Sequence, residues 1–196
     1  MELSDLISGG KNRVEILPPD PPCAAINAEY FQADESSNFG LLINQSGGVI
    51  SEGIVRLLGS TRDTDFRDIN MFNIKFGGNG YIILGDDIFG GIFALNTGLL
   101  PECPGNIIYL SPDTLEFEDL GIKFSGLFGF LANGDIRGFY GLFPDELFTK
   151  CTTMNAGFNQ VLSFYPPQWS KEFREGNPDV RAIDVYEHYK MIFTQQ

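Results

Sequence analysis

Tyr81-Ile-Ile-Leu-Gly-Asp-Asp-Ile-Phe-Gly-Gly-Ile-Phe-Ala-Leu-Asn96 holds two short apolar runs, Tyr81 to Leu84 and Gly91 to Leu95, parted by an Asp-Asp pair and glycines. Runs this short, rich in Ile and Phe and punctuated by turn residues, read as antiparallel strands. The same pattern extends outward. Downstream lie Asn106 to Leu110 and Leu115 to Leu120; upstream lie Phe39 to Ile43, Gly48 to Ile50 and Ile54 to Leu58. Leu115-Glu-Phe-Glu alternates apolar and acidic, which predicts one wet face, whereas Ile107-Ile-Tyr-Leu110 is apolar on both faces and predicts a central, covered strand.

Outside this strand-rich meander, residues 39 to 120, the period changes. Residues 1 to 8 predict a short helix ending at Gly9-Gly10. Leu17-Pro-Pro-Asp-Pro-Pro22 predicts a stiff connector. Cys23 to Phe31 predicts a helix with Ile26 and Tyr30 on one face, and Gln32 to Asn38 a loop. Residues 123 to 193 read as mainly helical: Phe124 to Leu131, Asp135 to Phe143, Pro144 to Cys151 and an amphipathic Val180 to Phe193, interrupted by a strand at Val161 to Tyr165. The expectation is one α+β domain, an antiparallel sheet of about six strands with N-terminal and C-terminal helices packed on it.

The 196 residues carry 13 Lys and Arg against 26 Asp and Glu, a formal net charge of -13, with a single histidine and three cysteines. That balance argues against nucleic acid and against an anionic membrane as partners, since both need a basic surface. No run of apolar residues reaches the length of a membrane span or a signal peptide, and Cys23, Cys103 and Cys151 form no C-x-x-C pair. A cytoplasmic protein with reduced thiols is expected.

Between Lys75 and Lys123 there is no Lys or Arg, yet seven acids: Asp86, Asp87, Glu102, Asp113, Glu116, Glu118 and Asp119. If the meander presents them on one face, the surface would attract a basic protein partner, a nuclease-type toxin being a natural example. The plainer reading is solvated edges and turn aspartates that keep a protein with 18 Phe soluble. Trp169, at the end of Phe164-Tyr-Pro-Pro-Gln-Trp169, either plugs the core or anchors an interface.

Catalytic patterns are sparse. Asp86-Asp87, placed between two strands, reads as a turn whose aspartates cap backbone amides, because no spaced calcium loop accompanies it. Asp63-Thr-Asp65 with Asp68 is too short a pattern to signify a metal site. His188 is expected at a surface or helix end, with no G-x-S-x-G elbow to pair with. Phe76-Gly-Gly-Asn-Gly80 reads as a hairpin turn, and the Phe and Tyr of 124 to 148 as core. No catalytic, cofactor or metal residue is assigned.

The stretches Asp86 to Gly98, Gly105 to Gly121 and Ser163 to Ser170, with Ile54-Val-Arg-Leu-Leu-Gly-Ser60, resemble a bacterial family known as domain of unknown function 2625, over about Val14 to Trp169. The family usually carries Trp where Phe117 stands and Trp-rich text near Phe139 to Leu147, which this chain lacks. The order of elements is also similar, in layout alone, to the SUKH superfamily, which implies a small α+β protein of the toxin-immunity kind. Two functions are therefore expected to compete. One is a non-enzymatic interaction protein using Asp86, Asp87, Asp113, Glu116, Glu118, Asp119 and Trp169; the other is a carboxylate-based enzyme or small-ligand protein with a cleft near Asp86, Asp87 and Asn96. A homodimer with purely solubilising charge is the plainer alternative to both.

Overall fold

The computed structural model describes residues 1–62 and 67–194. Its elements run α1 (Leu3–Ile7), β1 (Val14–Leu17), α2 (Pro21–Phe31), α3 (Asn38–Gln45), β2 (Gly48–Ser51), β3 (Val55–Leu58), α4 (Ile69–Phe76), β4 (Tyr81–Asp87), β5 (Ile92–Asn96), β6 (Asn106–Leu110) and β7 (Phe117–Lys123). They continue with α5 (Phe124–Asn133), α6 (Ile136–Phe139), α7 (Asp145–Thr153), β8 (Gln160–Tyr165), α8 (Lys171–Glu175), β9 (Asp179–Asp184) and α9 (Val185–Thr194). The first seven strands form one antiparallel sheet in chain order, and β8 and β9 form a separate hairpin. The α+β class and the antiparallel meander are as expected.

Side chains alternate across a strand, so the sheet feeds two apolar layers. One joins Val49, Leu57, Phe93, Ile107 and Tyr109 to the helical residues Leu127, Phe128, Leu131, Tyr140 and Phe143. The other joins Leu58, Ile83, Ile92 and Leu110 to Phe72 and Phe76 of α4 and Val185, Tyr189 and Ile192 of α9. Ile107 to Leu110 is covered on both faces, although β6 lies next to the sheet edge and not at its centre. Leu115 turns at φ +59° before β7 begins, and the wet face holds: Phe117 is half-buried while Glu116 and Glu118 are exposed.

Several expectations are corrected. Phe39 to Ile43 is helical: Ser37 Oγ accepts from the Gly40 amide at 2.9 Å, capping α3, and the run Leu41, Leu42, Ile43 is buried on both sides of the helix. An apolar run of that length fits strand or helix, and the cap decides. Val14–Leu17 is an edge strand immediately before the prolines. Phe76 to Gly80 links α4 to β4 and is not a hairpin turn. In α2 the inward residues are Ala24 and Asn27, whereas Ile26 and Tyr30 are 60% and 54% exposed, because Asn27 Nδ2 donates to Ser60 Oγ and Asp68 Oδ2. Val180 to Phe193 splits. Its first part pairs with β8, and Asp184 then accepts from the Tyr186 and Glu187 amides to start α9.

Candidate functional site

β4 carries Asp86 and Asp87 at its end, opposite Arg56 and Val55 of β3. Both are strand residues and fully buried, and of the expected turn caps Asp87 alone is one: it ends β4 and accepts from the Phe89 and Gly91 amides of the turn that follows. Neighbours in a strand point to opposite faces, so each apolar layer receives one carboxylate. This corrects the expectation that the pair lies on an acidic surface.

On one face Asp86 is gripped by two arginines. Arg56 donates through Nε to Oδ1 at 2.9 Å and through Nη2 to Oδ2 at 3.0 Å. Arg67 donates through Nη1 and Nη2, both at 2.8 Å. Tyr189 of α9 adds a hydroxyl at 3.3 Å. Arg56 also donates to the carbonyls of Gly157 and Gln160, and the Arg67 guanidinium lies 4.5 Å from the Phe158 ring centroid. Burial works against the charged Asp86, but the two guanidiniums outweigh it and hold the carboxyl below its ordinary range.

On the other face Asp87 has hydroxyl and amide partners. Its Oδ2 accepts from Tyr109 and Tyr140 at 2.7 and 2.9 Å, and its Oδ1 from the Phe89 and Gly91 amides at 2.8 and 3.0 Å. Burial dominates here and raises the carboxyl in spite of those donors. Burial likewise pushes the Tyr109, Tyr140 and Tyr189 hydroxyls well above their usual range. The following Gly90-Gly91 turn permits this packing. A Cβ on Gly90, whose φ is +93°, would overlap His188 Nε2, and one on Gly91 would overlap the Tyr109 hydroxyl. His188 is thus 8% exposed and not a surface residue; its Nε2 has no hydrogen-bond partner among the described residues, and burial drives its pKa down to about 4.

The expected cleft near Asp86, Asp87 and Asn96 is not formed by these residues. Asn96 is buried and spends its amide on its own loop, donating to the Leu100 and Cys103 carbonyls and accepting from the Gly98 and Leu100 amides. Three surface grooves, of about 510, 310 and 300 Å³, are lined by other residues.

The remaining predicted residues lie outside. Glu116, Glu118 and Asp119 are exposed along the edge strand β7 and the turn before it. Asp119 accepts from the Gly121 amide and from Asn106, which lowers its carboxyl. Asp113 is half-buried, taking a 2.5 Å bond from Ser111 Oγ and sitting 3.8 Å from Arg174. Trp169 is 46% exposed, so it does not plug the core; its neighbour Gln168 donates to the Phe89 carbonyl. The acids therefore do not share one face. Asp63 and Asp65 lie outside the described residues, and Asp68 caps α4 through the Asn70 and Met71 amides. Among the described residues, no three His, Cys, Asp or Glu side chains group as metal ligands.

The family described as "Protein of unknown function DUF2625" matches residues 1–187, beyond both ends of the stretch that its motifs marked out. An uncharacterised protein of Haemophilus influenzae (strain ATCC 51907 / DSM 11121 / KW20 / Rd) is 28% identical over 203 residues, covering 99% of this chain and 88% of its own. YbfG of Escherichia coli (strain K12), also described as uncharacterised, is 29% identical over 170 residues, covering 85% of this chain and 78% of its own. No solved structure matches. Among the described residues no helix is long and apolar enough to cross a membrane. The chain belongs to the DUF2625 family.

Proposed function

We propose that this protein is a non-enzymatic interaction protein that holds a basic protein partner through acids on the outer edge of its sheet. One observation carries the reading: the carboxylates divide into two populations. Asp86 and Asp87, the pair best placed for chemistry by sequence, are buried and occupied by eight hydrogen bonds of 3.0 Å or less from Arg56, Arg67, Tyr109, Tyr140 and two backbone amides. Glu116, Glu118 and Asp119 stand exposed at and just before an edge strand, in a stretch without Lys or Arg from residue 76 to residue 122. Such an edge attracts cationic surfaces and speeds encounter with them. Trp169 offers a large, half-open ring of the kind that anchors interfaces. The immunity form of this reading, with a nuclease-type toxin as the partner, adds the layout likeness to SUKH proteins, which is an analogy of fold.

The test is co-purification of the tagged chain with the products of adjacent genes across a salt series, alongside Glu116→Gln/Glu118→Gln/Asp119→Asn. A basic protein retained at low salt, released at high salt and lost from the triple variant supports the proposal. Capture of no basic protein, or capture indifferent to both salt and the triple variant, overturns it.

A further inference from the structure

The 310 Å³ groove lies at the opposite edge of the sheet from β7. Its lining comes from the β1 edge, the β2–β3 turn and the C-terminal end of α7 with the residues just after it, with Ile88 between. Ile54 and Ile88 are buried and Ile50 and Ala156 half-buried, which gives an apolar floor. Glu15 and Glu52 are exposed carboxylates on the rim. Thr152 belongs to the last turn of α7, whose carbonyl end carries partial negative charge.

The wall of this groove is set by the buried arginine. Glu15, Ile50 and Arg56 are successive cross-strand partners and share one face of the sheet. Arg56 then holds the Gly157 and Gln160 carbonyls, fixing the segment that supplies Asn155 and Ala156. Glu52 occupies the first central position of a tight turn at φ +53°, with Gly53 at +68°, and its carboxylate accepts from the Arg13 amide. That bond holds the acid at the groove mouth.

We propose that this groove receives one basic side chain, an arginine or lysine, of the protein partner. The aliphatic stem lies on Ile50, Ile54, Ile88 and Ala156, and the cation reaches Glu15, Glu52 and the end of α7. Charge and shape both select this occupant: an apolar floor suits a hydrocarbon stem, and two carboxylates with a helix carbonyl end suit its charged tip. Arg13 is the one cation among the described residues of the lining, and its charge stands against an incoming cation. The inference rests on the proposed basic partner but places a contact away from β7.

The experiment follows the Ile and Ala methyl signals of the intact protein by NMR during titration with a blocked Gly-Arg-Gly peptide, with the citrulline peptide as the uncharged control. Saturable shifts at Ile50, Ile54, Ile88 and Ala156 are expected with arginine and not with citrulline. Glu15→Gln should weaken binding about two- to fivefold, the worth of an exposed ion pair, and Arg13→Ala should strengthen it. Glu52→Gln keeps an acceptor for the Arg13 amide, so an unchanged amide spectrum of either glutamine variant shows that its fold is intact. No shifts, equal shifts with citrulline, or indifference to both Glu15→Gln and Glu52→Gln overturns the proposal. Glu116→Gln/Glu118→Gln/Asp119→Asn must leave the titration unchanged, so the groove and the β7 edge fail separately.

Discussion

Asp86→Asn is expected to destabilise this protein by about 3–5 kcal/mol or more. The native carboxylate accepts four bonds of 2.8 to 3.0 Å from Arg56 and Arg67, whose side chains are 1% and 0% exposed. Asparagine keeps the shape but removes the charge, leaving two buried guanidiniums facing each other with one acceptor oxygen between them. Breaking a buried ion pair by deleting one partner costs about 3–5 kcal/mol, and here one deletion strands two cations. Against a total stability of about 5–15 kcal/mol, that is from about a fifth of it to all of it. Urea unfolding followed by far-ultraviolet circular dichroism reads the loss. With a slope of about 1–3 kcal/mol per molar urea, the midpoint should fall by more than about 1 M, or the variant should be unfolded without denaturant. Replacing the three together, Arg56→Met/Arg67→Met/Asp86→Leu, should restore much of the loss, because neither guanidinium is then left buried without its carboxylate. A loss below about 1 kcal/mol for Asp86→Asn would refute the reasoning, since a cluster so cheaply broken cannot be holding the sheet to α9.

Three further outcomes follow from the same centre. Gly91→Ala should destabilise the fold by about 1–3 kcal/mol in urea unfolding, because the added methyl displaces the Tyr109 hydroxyl from Asp87. Tyr140→Phe should cost about 1–3 kcal/mol in the same assay by removing one donor from a buried carboxylate, leaving Tyr109 as the remaining hydroxyl on Oδ2. His188 has a folded pKa lowered from 6.5 to about 4, so the unfolded chain takes up a proton before the folded one does. Its contribution is present above pH 6.5 and is lost as pH falls towards 4, by about 3 kcal/mol. Stability curves measured at several pH values should be flatter across that window for His188→Leu than for the natural chain.

The strands from Tyr81 to Leu120 were legible because β-branched and aromatic runs alternate with turn residues. α3 was not, since Phe39 to Ile43 is too short and uniformly apolar to show a period; only Ser37, as a cap, distinguishes it. The C-terminal segment misled because Ile183, Tyr186, Met191 and Phe193 stand among charges in a roughly amphipathic order, while Asp184 ends a strand and begins the helix. At the site, Asp86 and Asp87 were visible but their surroundings were not. Local spacing favours a turn, and what buries them comes from residues 19 to 103 positions away. Arg56 carried a signal. A charge inside the unbroken run Ile54-Val-Arg-Leu-Leu58 needs a buried counter-charge, and Asp86 directly follows Tyr81-Ile-Ile-Leu-Gly85. Arg67 had no such mark in the polar stretch Ser60 to Asp68, and neither had Tyr109, Tyr140 and Tyr189, because aromatic residues in apolar runs read as packing.

The division of the acids into an inner and an outer population is tested most directly by carbodiimide coupling of the native protein to a labelled amine, with the modified carboxyls mapped by peptide mass spectrometry. The account predicts rapid labelling of Glu116 and Glu118 and none of Asp86 or Asp87 until the chain is unfolded. Labelling of Asp86 and Asp87 at the rate of the β7 glutamates in the folded protein would contradict it.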